Sequence, residues 1–387
     1  MVKSFFSQAL CLACAAWSAA AHAQLSNGSD GSDGALLVDS NQTLALPPDG
    51  IFNFTTVTIE TGATLSFQKN ALNTPVYFLA TGDIVVDGAI NLRGQSGDLV
   101  SGGAGGPGGF AGGPPSIAGN PAGSGLGPGA GAPAAGPFNT SNAAGKGSYG
   151  SRNTRAVDGP VYGSELLVPL VGGSGGGGSL DTRGGCGGGG AILLASDTRV
   201  EINGDVFANV ACDQPWGVGS GGGVRIVAPV VAGLGEIWVN GGDENQLLDN
   251  RFGGRGRVRI DVIDRSELAN LVVLPSQALS VGAFFVAFPD TVPRLDIISA
   301  AGNAIAEGTQ GPVDLVLPLN SPSAQTIVVQ GRDFQGTVPI TVAVTPDSGE
   351  RVIYEAEIDM SAGNPATVDV PVDIPANVPV RISAWSR

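Results

Sequence analysis

Tyr77-Phe78-Leu79-Ala80, a short gap, then Ile84-Val85-Val86-Asp87-Gly88-Ala89-Ile90-Asn91-Leu92: this pattern returns twice. It recurs as Ile192-Leu193-Leu194-Ala195 with Val200-Glu201-Ile202-Asn203-Gly204-Asp205-Val206-Phe207, and as Val224-Arg225-Ile226-Val227-Ala228 with Gly235-Glu236-Ile237-Trp238-Val239-Asn240-Gly241. A fourth copy begins at Val258-Arg259-Ile260-Asp261-Val262 and stops. Each unit reads as an apolar strand, a corner and a second strand around Asn-Gly or Asp-Gly, which a hairpin meander also uses. Two facts favour a solenoid of stacked parallel strands. The units resemble one another, and Gly62 and Gly88 lie 26 residues apart, a span suited to one turn of such a coil.

The alternation reaches back to Leu36, with Leu44, Leu46, a Pro47-Pro48-Asp49-Gly50 turn, Phe52, Phe54, Val57, Ile59, Leu65 and Phe67. The solenoid is therefore expected over residues 36–265. Residues 24–35 read as a flexible leader; Asp30 and Asp33 in it lack the further ligands a calcium site needs. Residues 94–190 interrupt the repeats with 34 glycines. Composition alone makes this insertion a disordered spacer. Against that, glycine pairs recur every third residue from Gly102 to Gly109, the period of a polyproline-II helix in which glycine lets chains pack closely. Phe110, Ile117, Leu126, Phe138, Tyr149, Tyr162 and Leu166-Leu167 are available as anchors. The sequence leaves the two readings balanced.

Cys186 and Cys212 bracket the second unit, 26 residues apart. Residues one coil turn apart stack at neighbouring-strand distance, within reach of a disulfide, while two free thiols is the alternative. After Asp264 glycine becomes sparse, and seven alternating segments follow: Leu295–Ile298, Val313–Leu317, Thr326–Val329, Val338–Val344, Val352–Ile358, Ala366–Ile374 and Val378–Trp385. They read as an immunoglobulin-like β-sandwich over 266–387, with Phe284, Phe285 and Phe288 sealing it against the last rung.

The 387 residues include 62 Gly and 26 Pro, with 42% hydrophobic, 14% charged and 6% aromatic. That is too apolar for a disordered chain and too rich in glycine and proline for a helical one. Residues 1–23 read as an export signal: Lys3, an apolar run from Phe5 to Ala20, and Ala21-His22-Ala23 before Gln24. Its removal takes away His22, the one histidine, with Cys11 and Cys14. Without imidazole, Ser-His-Asp and Cys-His catalysis and His-ligated metals are excluded. Loss of Lys3 also moves the net charge from −15 to −16, which argues against nucleic acid and anionic lipid. No later run suits a membrane span. The expected address is extracellular or cell-surface, or the periplasm.

The repeats resemble secreted bacterial right-handed parallel β-helix proteins of the pectin-lyase-like class over residues 50–264. The resemblance implies an all-β, right-handed parallel β-helix bearing the glycine-rich insertion. It also implies candidate activities, since members include polysaccharide lyases, glycoside hydrolases, adhesins and virion spikes. Lyases of the class pair a basic residue with carboxylates that hold calcium on the substrate; hydrolases use a carboxylate pair. The candidates here are Asp181 with Arg183, Asp213, and Asp243, Glu244, Asp249 and Arg251. None repeats at a spacing that compels convergence, and none matches a catalytic motif.

Trp216 and Trp238 are candidate stacking platforms for sugar rings, with wall packing the plainer fate. Arg255 and Arg257 belong to a basic run, Arg251 to Arg259, that suits an acidic sugar; alternation with Val258, Ile260 and Val262 makes a solvated outer face the stronger reading. The sequence thus favours an exported, non-catalytic adhesin or glycan-binding scaffold without cofactor. A polysaccharide lyase or glycoside hydrolase is the competing class. Nothing in it fixes oligomeric state.

Overall fold

The repeated units become vertical neighbours. The computed structural model describes residues 26–136, 143–180, 183–212, 214, 216–242, 252–289, 291–309 and 311–386; the expected export signal lies outside them. The fold is all-β, in two groups of strands. The first comprises β1 (Gly34–Val38), β2 (Gln42–Ala45), β3 (Ile51–Ile59), β4 (Thr64–Gln68), β5 (Val76–Ala80), β6 (Ile84–Val86), β7 (Ala89–Asn91) and β8 (Ala191–Ser196). It continues with β9 (Arg199–Ile202), β10 (Asp205–Phe207), β11 (Gly223–Ala232), β12 (Glu236–Trp238), β13 (Arg257–Asp264), β14 (Val272–Leu274) and β15 (Leu279–Gly282). All the pairings within this group are parallel.

Register follows the sequence repeats. Ile51 pairs with Tyr77, Tyr77 with Leu193, Leu193 with Arg225 and Arg225 with Arg259, which gives the stack β3-β5-β8-β11-β13. A second stack runs β14-β12-β10-β7-β4-β2. The long strands β3 and β11 each carry two partners in succession on one side. Pairing therefore runs β3-β5-β8-β11-β9-β6 and back to β3, a closed ring of six parallel strands. Inward residues from all walls, among them Val57, Leu65, Phe78, Ile90, Ile192, Ile226 and Ile260, form one core. Near β3, Phe78 meets Phe52 and Phe54 edge to face, with centroids 5.5 and 5.2 Å away; such pairs add about 1 kcal/mol each beyond area burial.

The β5-β8-β11 wall is buried on both faces, which explains unbroken apolar runs such as Ala191-Ile192-Leu193-Leu194-Ala195. Its outward residues Tyr77, Leu79, Leu193 and Val227 lie under Tyr149, Tyr162, Leu167 and Leu170 of the insertion and Phe285, Ala287 and Phe288. The three phenylalanines were expected at the last rung; two of them cover this flank instead, and the third, Phe284, lies 5.4 Å from the Arg225 guanidinium. The outward charges of β11 and β13 are likewise not solvated. Arg225 and Asp261 have side chains 2% and 0% exposed, 3.8 Å apart. Asp261 also binds Arg259 at 2.7 Å and accepts the Phe284 N–H at 2.8 Å. Arg225 donates to the carbonyls of Phe284, Val286 and Ala287. Nor is the leader loose: Asn27 is buried and donates to the carbonyls of Ala80 and Ala195, on successive rungs.

The insertion is a lattice of extended threads bonded at every third residue. The N–H groups of Gly184, Gly187 and Gly190 donate to the carbonyls of Asp98, Gln95 and Leu92. Those of Gly185, Gly188 and Ala191 go to Gly113, Phe110 and Pro107, and those of Cys186 and Gly189 to Gly217 and Ser220. One thread thus serves three neighbours in rotation, as a three-residue period requires. Glycine is obligatory there: a Cβ on Gly185 would stand 2.1 Å from the Gly176 carbonyl oxygen, and one on Gly188 2.1 Å from that of Gly173. Thread 184–190 runs directly into β8. Among the expected anchors, Tyr149, Tyr162 and Leu167 are packed, Ile117 and Leu166 are exposed, and Phe138 lies outside the described residues.

Cys186 and Cys212 are joined, with Cα atoms 6.0 Å apart. They are not equivalent residues of stacked strands, as their interval implied. Cys186 lies on a glycine thread, and the pair packs with Val210 and Val218, so the bond clamps the insertion to the stack.

The second group is β16 (Arg294–Ala300), β17 (Asn303–Ala304), β18 (Ala324–Arg332), β19 (Thr337–Pro346), β20 (Val352–Asp359), β21 (Ala366–Asp373) and β22 (Val380–Ser386). They form two antiparallel sheets, β17-β16-β18-β21 and β20-β19-β22, around a core with Ile327, Val329, Ile340, Val342 and Ile358. Six of the seven expected segments are strands. Val313–Leu317 is not: Pro312 and Pro318 at its ends have no N–H to donate, and none of its own N–H groups reaches a backbone carbonyl among the described residues. The β19–β20 turn docks on the insertion: Gly349 donates to the Ala122 carbonyl, and Arg351 to those of Gly127 and Pro128 at 2.7 and 3.3 Å. Among the described residues no helix is long and apolar enough to cross a membrane.

Gly185→Ala should destabilise the protein by roughly 3 kcal/mol, because the clash is with fixed backbone. Gly62→Ala, where φ is +85° and nothing lies within 4 Å of the added carbon, should cost only about 1 kcal/mol. Urea melts of the two variants check the ordering. Reduction of Cys186–Cys212 should lower unfolding free energy by roughly 3 kcal/mol, and the unreduced, denatured protein should show no thiol from this pair.

Candidate functional site

On the wall formed by β7, β10, β12 and β14, the central residues Ile90, Val206, Ile237 and Val273 enter the core. Their neighbours on either side must therefore face out. Parallel in-register pairing aligns these in two columns. One is Asn91–Phe207–Trp238–Leu274, the other Ala89–Asp205–Glu236–Val272. Consecutive members sit about 4.8 Å apart, the strand spacing.

The rings of Phe207 and Trp238 have centroids 6.5 Å apart at 33°. Arg93 places its guanidinium carbon 3.7 Å over the Phe207 centroid, and its Nε donates to Asn209 Oδ1 at 3.1 Å. The cation thus covers one face of Phe207. Trp238 is half-buried, and its Nε1 is buried without a hydrogen-bond partner, so the indole offers the surface carbon rather than its N–H. An aromatic carbon surface beside two in-register carboxylates, Asp205 and Glu236, can stack an apolar ring face and accept hydroxyl protons together.

The other sequence candidates go elsewhere. Trp216 lies 5.7 Å from the Arg155 guanidinium. Arg155 in turn donates to the carbonyls of Ala143 and Ala144 at 2.6 and 3.3 Å. The backbone N–H groups of Arg155 and Lys146 both reach Asp158, at 3.1 and 2.8 Å. Burial pushes the Lys146 amine down to about 8, with the Asp158 charge opposing the shift. Arg257 donates to the Tyr162 carbonyl at 3.1 Å, and its guanidinium lies 5.5 Å from the Tyr149 ring. The Arg255 N–H donates to Ser151 Oγ. These groups fasten the insertion rather than converge on a surface. Arg183 is bound to Ser179 through its backbone. Asp181, Asp213, Asp243, Glu244, Asp249 and Arg251 lie outside the described residues.

Of the candidates, then, Trp238 stands half-buried on the outward face of the rung wall, and its companions Phe207, Arg93, Asp205 and Glu236 were not singled out from sequence. Among the described residues no group of three or more His, Cys, Asp or Glu side chains is placed to hold a metal ion. Compared with protein-family models, curated proteins and solved structures, the chain matches none.

Lys146 has a titration consequence. Its folded-state value lies below that of the unfolded amine, so between about pH 8 and 10 the unfolded chain binds more protons. Stability should therefore rise with pH from 8 to 9.5, before tyrosines ionise in the unfolded chain. Lys146→Met should flatten that rise; chemical melts across the interval measure it.

Proposed function

We propose that this chain is an exported, non-catalytic surface or matrix protein that holds a polysaccharide or cell-surface glycan against its rung wall. In this reading the parallel stack is a right-handed β-helical shaft, and the antiparallel sheets form an immunoglobulin-like sandwich at its C-terminal side. The observation that carries the proposal is the in-register column of Phe207 and Trp238 beside Asp205 and Glu236. Columns on a parallel stack repeat at about 4.8 Å and run across the strands. They therefore suit an extended ligand that makes similar weak contacts on successive rungs, and affinity would then grow with the number of copies at a surface. The export segment at residues 1–23 and the excess of acidic residues fit an extracellular setting.

One observation favours a second reading. Asp205 and Glu236 are direct neighbours across adjacent strands, and retaining glycosidases use a pair of carboxylates that stand close together, roughly 5 Å apart. Glycan hydrolysis is the competing function.

Trp238→Ala should weaken binding to any glycan captured on an array by about tenfold, the loss of one stacking contact of roughly 1–1.5 kcal/mol. Reducing-end assays on acidic and neutral polysaccharides, with calcium supplied, should yield no product. Product formation abolished by Asp205→Asn would establish the hydrolase instead.

A further inference from the structure

The outward carboxylates of the rung wall cost the fold something and receive nothing from it. Asp205 and Glu236 are paired directly across adjacent parallel strands, a placement in which like charges repel. Neither has an ion-pair partner among the described residues. The six strands of this wall, β2, β4, β7, β10, β12 and β14, contain no Lys or Arg. The corner that leads into β10 adds charge of the same sign. There Asn203 Nδ2 donates to Asp87 Oδ1 at 2.8 Å and to Glu201 Oε1 at 3.1 Å, a neutral amide between two acids.

The basic residues that flank these strands are committed elsewhere. Lys69, just after β4, donates to the Gly105 carbonyl at 3.0 Å. Arg199 pairs with Glu201 at 3.0 Å and with Glu267 at 2.6 Å. The Arg257 side chain is bound to the insertion. Arg93 lies 3.7 Å over the Phe207 ring and donates to Asn209. It also shows what the aromatic column accepts, since a cation already rests on one of its two rings. Trp238 is the other ring, and on its own strand Glu236 shares its outward face, with Asp205 one strand away. A bare metal ion gains nothing from the indole and meets two carboxylates. A sugar carrying an amine lays its apolar ring face on Trp238 and gives its ammonium protons to Asp205 and Glu236.

We infer that the glycan held on this wall carries free amino groups, a polymer of deacetylated hexosamine, and that Asp205 and Glu236 select it against acidic and fully acetylated polysaccharides. This rests on the glycan reading and adds to it the charge of the ligand. The ligand's ammonium group supplies the counter-charge that the fold withholds from the pair. At longer range the net charge of −15 favours the approach of a polycation and opposes that of a polyanion. Both effects weaken as salt screens them.

Titration calorimetry on the full chain tests it, with EDTA present and at about pH 6, where a sugar amine is protonated. The probes are a glucosamine oligomer, its fully N-acetylated counterpart and a galacturonate oligomer of equal length. The unaltered protein should bind the glucosamine oligomer at least about tenfold more tightly than either of the others, and lose that preference as salt is raised to about 1 M. Asp205→Asn combined with Glu236→Gln should reduce glucosamine binding to the level of the N-acetylated oligomer, while Trp238→Ala should weaken both. Equal or tighter binding of the acetylated or acidic oligomer, still weakened by Trp238→Ala, would overturn the inference and leave the glycan reading standing. Failure of all three oligomers to bind would remove both.

Discussion

The structure depends on one constraint: each extended segment must give its backbone N–H groups to carbonyls of a neighbouring segment of the same chain. The rungs meet it with a two-residue period, so alternate side chains enter the core. The glycine threads meet it with a three-residue period, so a thread bonds to three neighbours and leaves no room for side chains among them. Gly184–Gly190 crosses from one regime to the other at Ala191, where the thread becomes β8. Glycine is therefore a packing element here, in the role that leucine and isoleucine fill inside the rungs.

Burying the second face of the β5-β8-β11 wall creates the main electrostatic demand. Arg225 and Asp261 lie under the 284–288 segment, with Arg259 paired to Asp261, and burial lowers the affinity of Arg225 for its proton while Asp261 resists that change. A buried ion pair of this kind is weak evidence of net stability, but removing one partner strands the other. The pair acts through geometry. Arg225 gathers three carbonyls and Asp261 one N–H, which fixes the path by which the chain leaves the stack for the sandwich. The Arg351 contacts with Gly127 and Pro128 hold the sandwich from its other side.

Much of the stack was legible because register is a repeat property. Aligning the quoted units already pairs Tyr77 with Leu193 and Phe207 with Trp238. The aromatic column could have been found there, since Asn91, Phe207 and Trp238 each follow the inward residue of the same short strand. The fate of the outward charges was not legible: alternation shows that Arg225, Arg259 and Asp261 leave the core, but not that residues 284–288 cover Arg225 and Asp261. The period of the glycine pairs held the lattice, while composition pointed to disorder, and only the bonding partners decide between them. Val313–Leu317 shows the converse error: its alternation predicts a strand, but its backbone takes no ladder partner among the described residues.

Taken together, the molecule offers a rigid wall with aligned outward columns and a sandwich tied to it through the glycine lattice. The proposed adhesive role needs that rigidity, because contacts on successive rungs act together only if the rungs hold their spacing. Whether the glycine lattice is a folded part of that body is the central claim. Native-state hydrogen exchange tests it most directly. The amides of Gly184, Gly185, Gly187, Gly188 and Gly190 should be protected to a degree comparable with those of Ile192 to Ala195 in β8. Exchange of those glycine amides at the rate of an unstructured chain, beside a protected β8, would contradict the account.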